Sequence, residues 1–162
     1  MAGFSEDWLK EHQAKMTAIK QAPPVPASAP AAPPKSRTGR TKQGWRPDIG
    51  IFTRSSWEAN FARYLNWLVS SHGIKEWSYE PETFWFEAIK RGVRSYKPDF
   101  KIVPITGDPY FIELKGYMDP KSKTKLKRMA KYHPNVRVQL VGEVEYRAIA
   151  RTVRPLIPTW EG

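Results

Sequence analysis

Apolar residues recur at three- and four-residue steps between Ser56 and Ser70, where Trp57, Phe61, Tyr64, Leu65 and Leu68 fall on one side. That spacing predicts an amphipathic helix, capped by Ser55 or Ser56 and stopped near Gly73. The period then changes to two. "EWSYEPETFWFEAI" alternates as an aromatic strand to Ile89, "KRGV" reads as a turn, and "SYKPDFKIVPI" resumes the strand pattern. "GDP" at Gly107 to Pro109 predicts a turn into a third strand, "YFIELKGY". A helix follows, entered through Asp119 and Pro120 and ended near His133 and Pro134, with Leu126, Met129 and Ala130 as its apolar stripe. "NVRVQLVG" is a fourth strand and "EYRAIARTVRPLI" a closing helix. The order predicts an α/β domain: a mixed central sheet of about four strands, flanked by helices. Its strands form an antiparallel meander plus one strand reached by a helical crossover.

The segments ahead of this domain read differently. Residues 1–21 have a helix-like pattern with Ser5 as cap and Phe4, Trp8, Met16 and Ile19 as apolar contacts. Residues 22–44 form a linker. Its first part, "APPVPASAPAAPP", cannot build a core and predicts a semi-stiff spacer; its second, "KSRTGRTKQG", is a basic arm. The first helix, held at a distance by the spacer, suits a protein partner. Residues 45–162 form the domain.

Composition narrows the function. The 162 residues carry 27 Lys and Arg against 16 Asp and Glu, a formal charge of +11, which favours a polyanionic partner such as DNA. Seven Trp, seven Tyr and seven Phe supply a core. The absence of cysteine excludes disulfides and thiolate metal sites. No apolar run approaches the ~20 residues of a membrane span, and the N-terminus lacks the pattern of a signal peptide. A cytoplasmic protein without membrane contact is the expectation. No glycine-rich phosphate loop is present, and His12, His72 and His133 lack metal-ligand spacing. The tryptophans at 57, 67, 77 and 85 fall on helix or strand periods and read as core.

Within this basic chain, three charged residues sit in strand-like surroundings. Alternation along the third strand puts Glu113 and Lys115 on one side with Phe111, while Ile112 and Leu114 point into the core. A hairpin turning at Gly107 brings Asp99 of "PDF" beside them. Two carboxylates and one ammonium then converge, the set that phosphodiester hydrolysis uses. Carboxylates hold Mg²⁺ together with waters and phosphate, and a lysine beside them orients the attacking water or stabilises transition-state charge. The backbone carbonyl of Leu114 is a further ligand candidate, and Glu58 on the first helix supplies another acid. The bland alternative is a surface salt bridge between Glu113 and Lys115 on a half-exposed strand.

"KPDF…FIELKG" resembles the PD-(D/E)XK nuclease superfamily, with Asp99, Glu113 and Lys115 on its motif positions, and "RSSWE" at Arg54 to Glu58 is similar to its first helix. The order "RSSWE…GIK…YEP…YKPDF…IELKGY…HPNVRVQLV…LIPTWE" resembles the phage endonuclease I family of junction-resolving enzymes from T-seven-like phages, over roughly Arg54 to Glu161. The resemblance implies a restriction-endonuclease-like core and hydrolysis of branched DNA such as four-way junctions in phage DNA processing. It implies metal binding by Asp99, Glu113 and Glu58, with Mg²⁺ as cofactor and Mn²⁺ able to substitute, and Lys115 as catalytic lysine. It also implies a homodimer, in the host bacterial cytoplasm if phage-encoded. Ser78 stands where the family carries a further acid, with Glu76, Glu80 and Glu82 nearby as substitutes. Transposase-type and other small phage nucleases share most of these motifs.

The crossover helix carries Lys121, Lys123, Lys125, Lys127, Arg128 and Lys131, which predicts a face that tracks phosphates. Arg54 and the turn residues Lys90, Arg91 and Arg94 are further DNA-contact candidates. The competing class is a non-catalytic nucleic-acid-binding module. Against it, three uncompensated acids near the phosphates would repel DNA.

Overall fold

The computed structural model describes residues 42–162. The expected N-terminal helix and nearly all of the expected linker lie outside the described residues. The linker's last residue, Gly44, belongs instead to a short strand.

A hairpin missed by the sequence reading opens the domain: β1 (Gly44–Arg46) pairs antiparallel with β2 (Ile51–Thr53). Helix α1 (Ser56–Ser70) follows with the expected bounds. Ser55 is its cap: its side chain accepts from the Glu58 amide at 3.2 Å and its hydroxyl donates to Glu58 Oε1 at 3.0 Å. The helix ends at Ser71 rather than Gly73, with His72 in the left-handed region at φ 57°. Gly73 closes the turn, its amide donating to the Leu68 carbonyl at 2.7 Å. A Cβ there would meet the Leu68 side chain at 3.0 Å, so the approach favours glycine.

The central sheet has four strands in the order β3 (Glu76–Tyr79), β6 (Phe100–Val103), β7 (Tyr110–Leu114), β8 (Val138–Val141). The first three are antiparallel and β8 runs parallel to β7. The parallel step is made through helix α2 (Pro120–Tyr132), capped by Asp119 and ended at His133 as expected. Helix α3 (Glu143–Val153) and a short 3₁₀ turn close the chain. The fold is therefore α/β with a mixed four-stranded sheet. No helix among the described residues is long and apolar enough to cross a membrane.

Two predicted strands are each broken. Glu80, at φ 44°, and Pro81 end β3, and Pro98 separates "SY" from "FKIV". Between the breaks, β4 (Phe84–Trp85) and β5 (Ser95–Tyr96) form a separate two-stranded ribbon. Its Phe84, Phe86 and Tyr96 pack with Phe111 and Met129 on one face of the sheet. The opposite face carries Phe100, Ile102, Ile112 and Leu114 against α1 and α3. Strand β7 is consequently buried on both sides. Trp57, Trp67 and Trp77 are partly buried against the larger cluster, as expected, but Trp85 is 58 % exposed because it faces away from the ribbon's packed side. In α2, Met129 is buried and Ala130 is exposed, so the apolar stripe is narrower than its spacing suggested.

A polar network ties the two ends of the domain to α1. Buried Arg63 holds Asp48 through two bonds of 2.6 and 3.1 Å and Glu161 at 2.9 Å. Asn60 exchanges two 2.8 Å bonds with the Glu161 backbone, and Arg46 binds the same carboxylate. Replacing Arg63 strips Asp48 of its cation, leaves Glu161 with Arg46 alone and empties a buried site. Arg63→Ala is expected to destabilise the domain by about 3 kcal/mol, read as a lower urea midpoint at unchanged slope.

Candidate active site

The β6–β7 pairing builds the site. Phe100 is opposite Ile112, so the next position outward sets Asp99 against Glu113. The Leu114 amide donates to Asp99 Oδ2 at 2.8 Å, and the Glu80 amide donates to the Asp99 carbonyl at 2.8 Å. Asp99 is thus pinned through both backbone and side chain. Among the described residues its Oδ1 accepts no hydrogen bond.

Glu113 lies deeper, 7 % exposed, and the surface-salt-bridge reading fails on that burial. Tyr96 donates its phenol to Glu113 Oε2 at 3.0 Å, and Lys115 Nζ stands 3.7 Å from Oε1. Lys115 and Asp99 are half-buried, so the pair meets solvent through them. The structure therefore brings Asp99, Glu113 and Lys115 together as expected.

Glu58 is close by but not in the same grip. Its Oε2 accepts from the Tyr79 phenol at 2.5 Å and from the Arg54 amide at 2.9 Å. Its charge is nonetheless felt at Asp99. Of the three substitute acids, Glu80 is ion-paired with Arg54 and with Lys97 at 3.3 Å, Glu82 pairs with Lys101 at 3.1 Å, and Glu76 is exposed. Glu80 alone of these adjoins Asp99 through the backbone.

The acid pair resists ionisation. Burial first, then the neighbouring Glu113 charge, push the Asp99 carboxyl up to about 7. Burial also raises Glu113, against the opposing pull of Lys115, the Tyr96 phenol and Lys125. Two desolvated carboxylates with one open oxygen between them can take up further positive charge. A divalent cation held by one or two carboxylates suits that donor set. Among the described residues no three of His, Cys, Asp and Glu converge as a preformed cage. Asp99 and Glu113 are the fitting ligands, and the Leu114 backbone lies between them in the chain.

The basic residues divide. Lys121, Lys123, Lys127 and Lys131 are exposed on α2, and Lys90, Arg91 and Arg94 are exposed at the tip of the β4–β5 ribbon. Arg54 is largely exposed, though paired with Glu80. Arg128 turns inward and donates to the Val93 carbonyl, fastening the ribbon to α2. Lys125 is half-buried. These two lie less open to solvent than the four exposed lysines of the helix.

Tyr96 and Tyr79 were missed as site residues, and Glu80 stood only as one of three interchangeable acids. The Tyr96 phenol is legible only once the ribbon folds over Glu113. Pro81 beside Glu80 was the available signal for a break.

Searches among family models, curated proteins and solved structures find no match to this chain.

The Asp99 carboxyl supplies a test. Its folded affinity for protons exceeds that of an unfolded aspartate near 3.8, so the folded state holds the proton across the window between 3.8 and about 7. Stability of the metal-free protein should fall as pH rises through that window, by up to a few kcal/mol. Asp99→Asn should flatten the fall and be more stable than wild type at pH 8, as read by thermal melting in EDTA.

Proposed function

We propose that the protein is a metal-dependent DNA endonuclease with a restriction-endonuclease-like core, acting on branched DNA. The observation that carries this reading is the meeting of Asp99, Glu113 and Lys115 at one partly open point of a basic domain. Buried acids that remain short of positive charge serve no binder of phosphates, since they repel DNA until a cation compensates them.

The chain's residues take separate parts. Asp99 and Glu113 hold the cation, and Glu58 adds negative potential from α1. A bound Mg²⁺ would lower the pKa of its water and neutralise charge on the phosphoryl oxygens. Lys115, half-exposed beside Glu113, faces the place where phosphate oxygens gain charge and steadies them. Tyr96 keeps Glu113 from rotating, and the Leu114 amide does the same for Asp99. Exposed lysines of α2 and the ribbon's Lys90, Arg91 and Arg94 contact backbone phosphates, which carry no base information. That suits an enzyme reading DNA shape. Paired nicking of a junction needs two such sites, so the working form is a homodimer.

Asp99→Ala and Lys115→Ala are each expected to reduce Mg²⁺-dependent cleavage of a four-way junction by at least a hundredfold. Binding of the junction should persist. One gel with duplex, single strand, flap and junction, in Mg²⁺ or EDTA, checks this. Undiminished cutting by either variant would remove the assignment.

A further inference from the structure

Lys125 sits on the inward side of α2. Ser122 and Met129, three residues before it and four after it, are buried, whereas Lys121, Lys123, Lys127 and Lys131 are exposed. Because β7 and β8 are parallel, the helix between them runs back against β7. Met129 packs in the cluster that contains Phe111. Four residues back along the helix is about 6 Å. Two residues forward along β7 is about 6.6 Å. The two steps coincide, and they carry Met129 to Lys125 on the helix and Phe111 to Glu113 on the strand. Phe111, Glu113 and Lys115 share the sheet face that α2 covers. By that register Lys125 lies on the side of α2 toward Glu113, beyond ion-pair distance, and its charge is felt there beside that of Lys115.

We infer that Lys125 belongs to the active site rather than to the DNA-tracking surface: it is a positioning residue, a second cation on the Glu113 side supplied by the crossover helix. This rests on the nuclease reading above. The basic helix then has two roles, an outer face for phosphates and one inward lysine for the acids. Lys125 keeps Glu113 oriented when the site is empty, and it opposes a second positive charge at the same carboxylate. The consequence is opposite in sign for metal and for turnover. Removing Lys125 relieves repulsion of the cation and loses orientation of Glu113.

The test uses the full chain with Lys125→Met, Lys125→Arg and Lys123→Met. Lys125→Met should lower kcat on a Mg²⁺-loaded junction at saturating DNA by tenfold or more, with metal-free junction affinity within twofold of wild type. Mn²⁺ alone, titrated by calorimetry, should bind Lys125→Met at least threefold more tightly. Lys125→Arg should restore both values, which a packing defect would not do, and melting curves report whether each variant folds. Lys123→Met should weaken metal-free junction binding. The inference is overturned if Lys125→Met loses metal-free affinity as Lys123→Met does while turnover holds, or if Mn²⁺ affinity and kcat both stay at wild-type values. Wild-type protein that cuts no DNA would remove the nuclease reading instead, and the Mn²⁺ titration would still decide the place of Lys125.

Discussion

Two largely desolvated carboxylates face each other across an antiparallel strand pair, and much of the domain is arranged around that fact. Asp99 and Glu113 oppose one another because β6 and β7 pair Phe100 with Ile112. Charge taken out of water is costly unless it is neutralised or hydrogen-bonded. Here the compensation is partial: one amide on Asp99, one phenol on Glu113 and one ammonium at 3.7 Å. The remaining deficit shows in the raised proton affinity of both acids.

The rest of the fold explains why the deficit persists. Strand β7 is covered on both faces, by α1 and α3 on one side and by α2 with the β4–β5 ribbon on the other. A strand with one solvated face would hydrate Glu113 and leave its carboxyl unremarkable. The ribbon is what closes the second face, and it departs from the sheet because Glu80 adopts a left-handed backbone and Pro81 and Pro98 interrupt the ladder. The break itself is useful. It turns the Glu80 amide onto the Asp99 carbonyl and carries Tyr96 to Glu113.

Periodic segments were legible in the sequence because their signals are local. Helix α1 has its five apolar positions and a Ser55–Glu58 cap, and α2 has Asp119–Pro120 at its start. The meeting of Asp99 with Glu113 was legible too, since one turn at Gly107 fixes the register of the hairpin. What depends on packing between distant segments was not. Alternating aromatics from Glu76 to Ile89 look like one strand until tertiary contacts decide which half joins the sheet. The inward turn of Lys125 and Arg128 is invisible among six similar cations, because only the ribbon and β7 distinguish the sides of that helix. The short β1–β2 strands carry too few residues to show a period.

A second polar cluster, built on buried Arg63, sharpens what is unusual about the first. Around Arg63, burial raises the proton affinity of Asp48 and Glu161, yet the guanidinium bonds outweigh it and both carboxyls end below their ordinary range. That is the balance expected of a clasp that holds chain ends together, with every charge answered by a fork of hydrogen bonds. Around Asp99 burial is deeper and it wins, since the nearest cations are single lysines at the edge rather than a buried arginine. One domain thus contains two acid clusters with opposite outcomes, the shallower one answered by arginines and the deeper one left short. The satisfied one stabilises the fold. The unsatisfied one stays short of positive charge in a chain that has eleven to spare, and a deficit of that kind is what the proposed cation would fill.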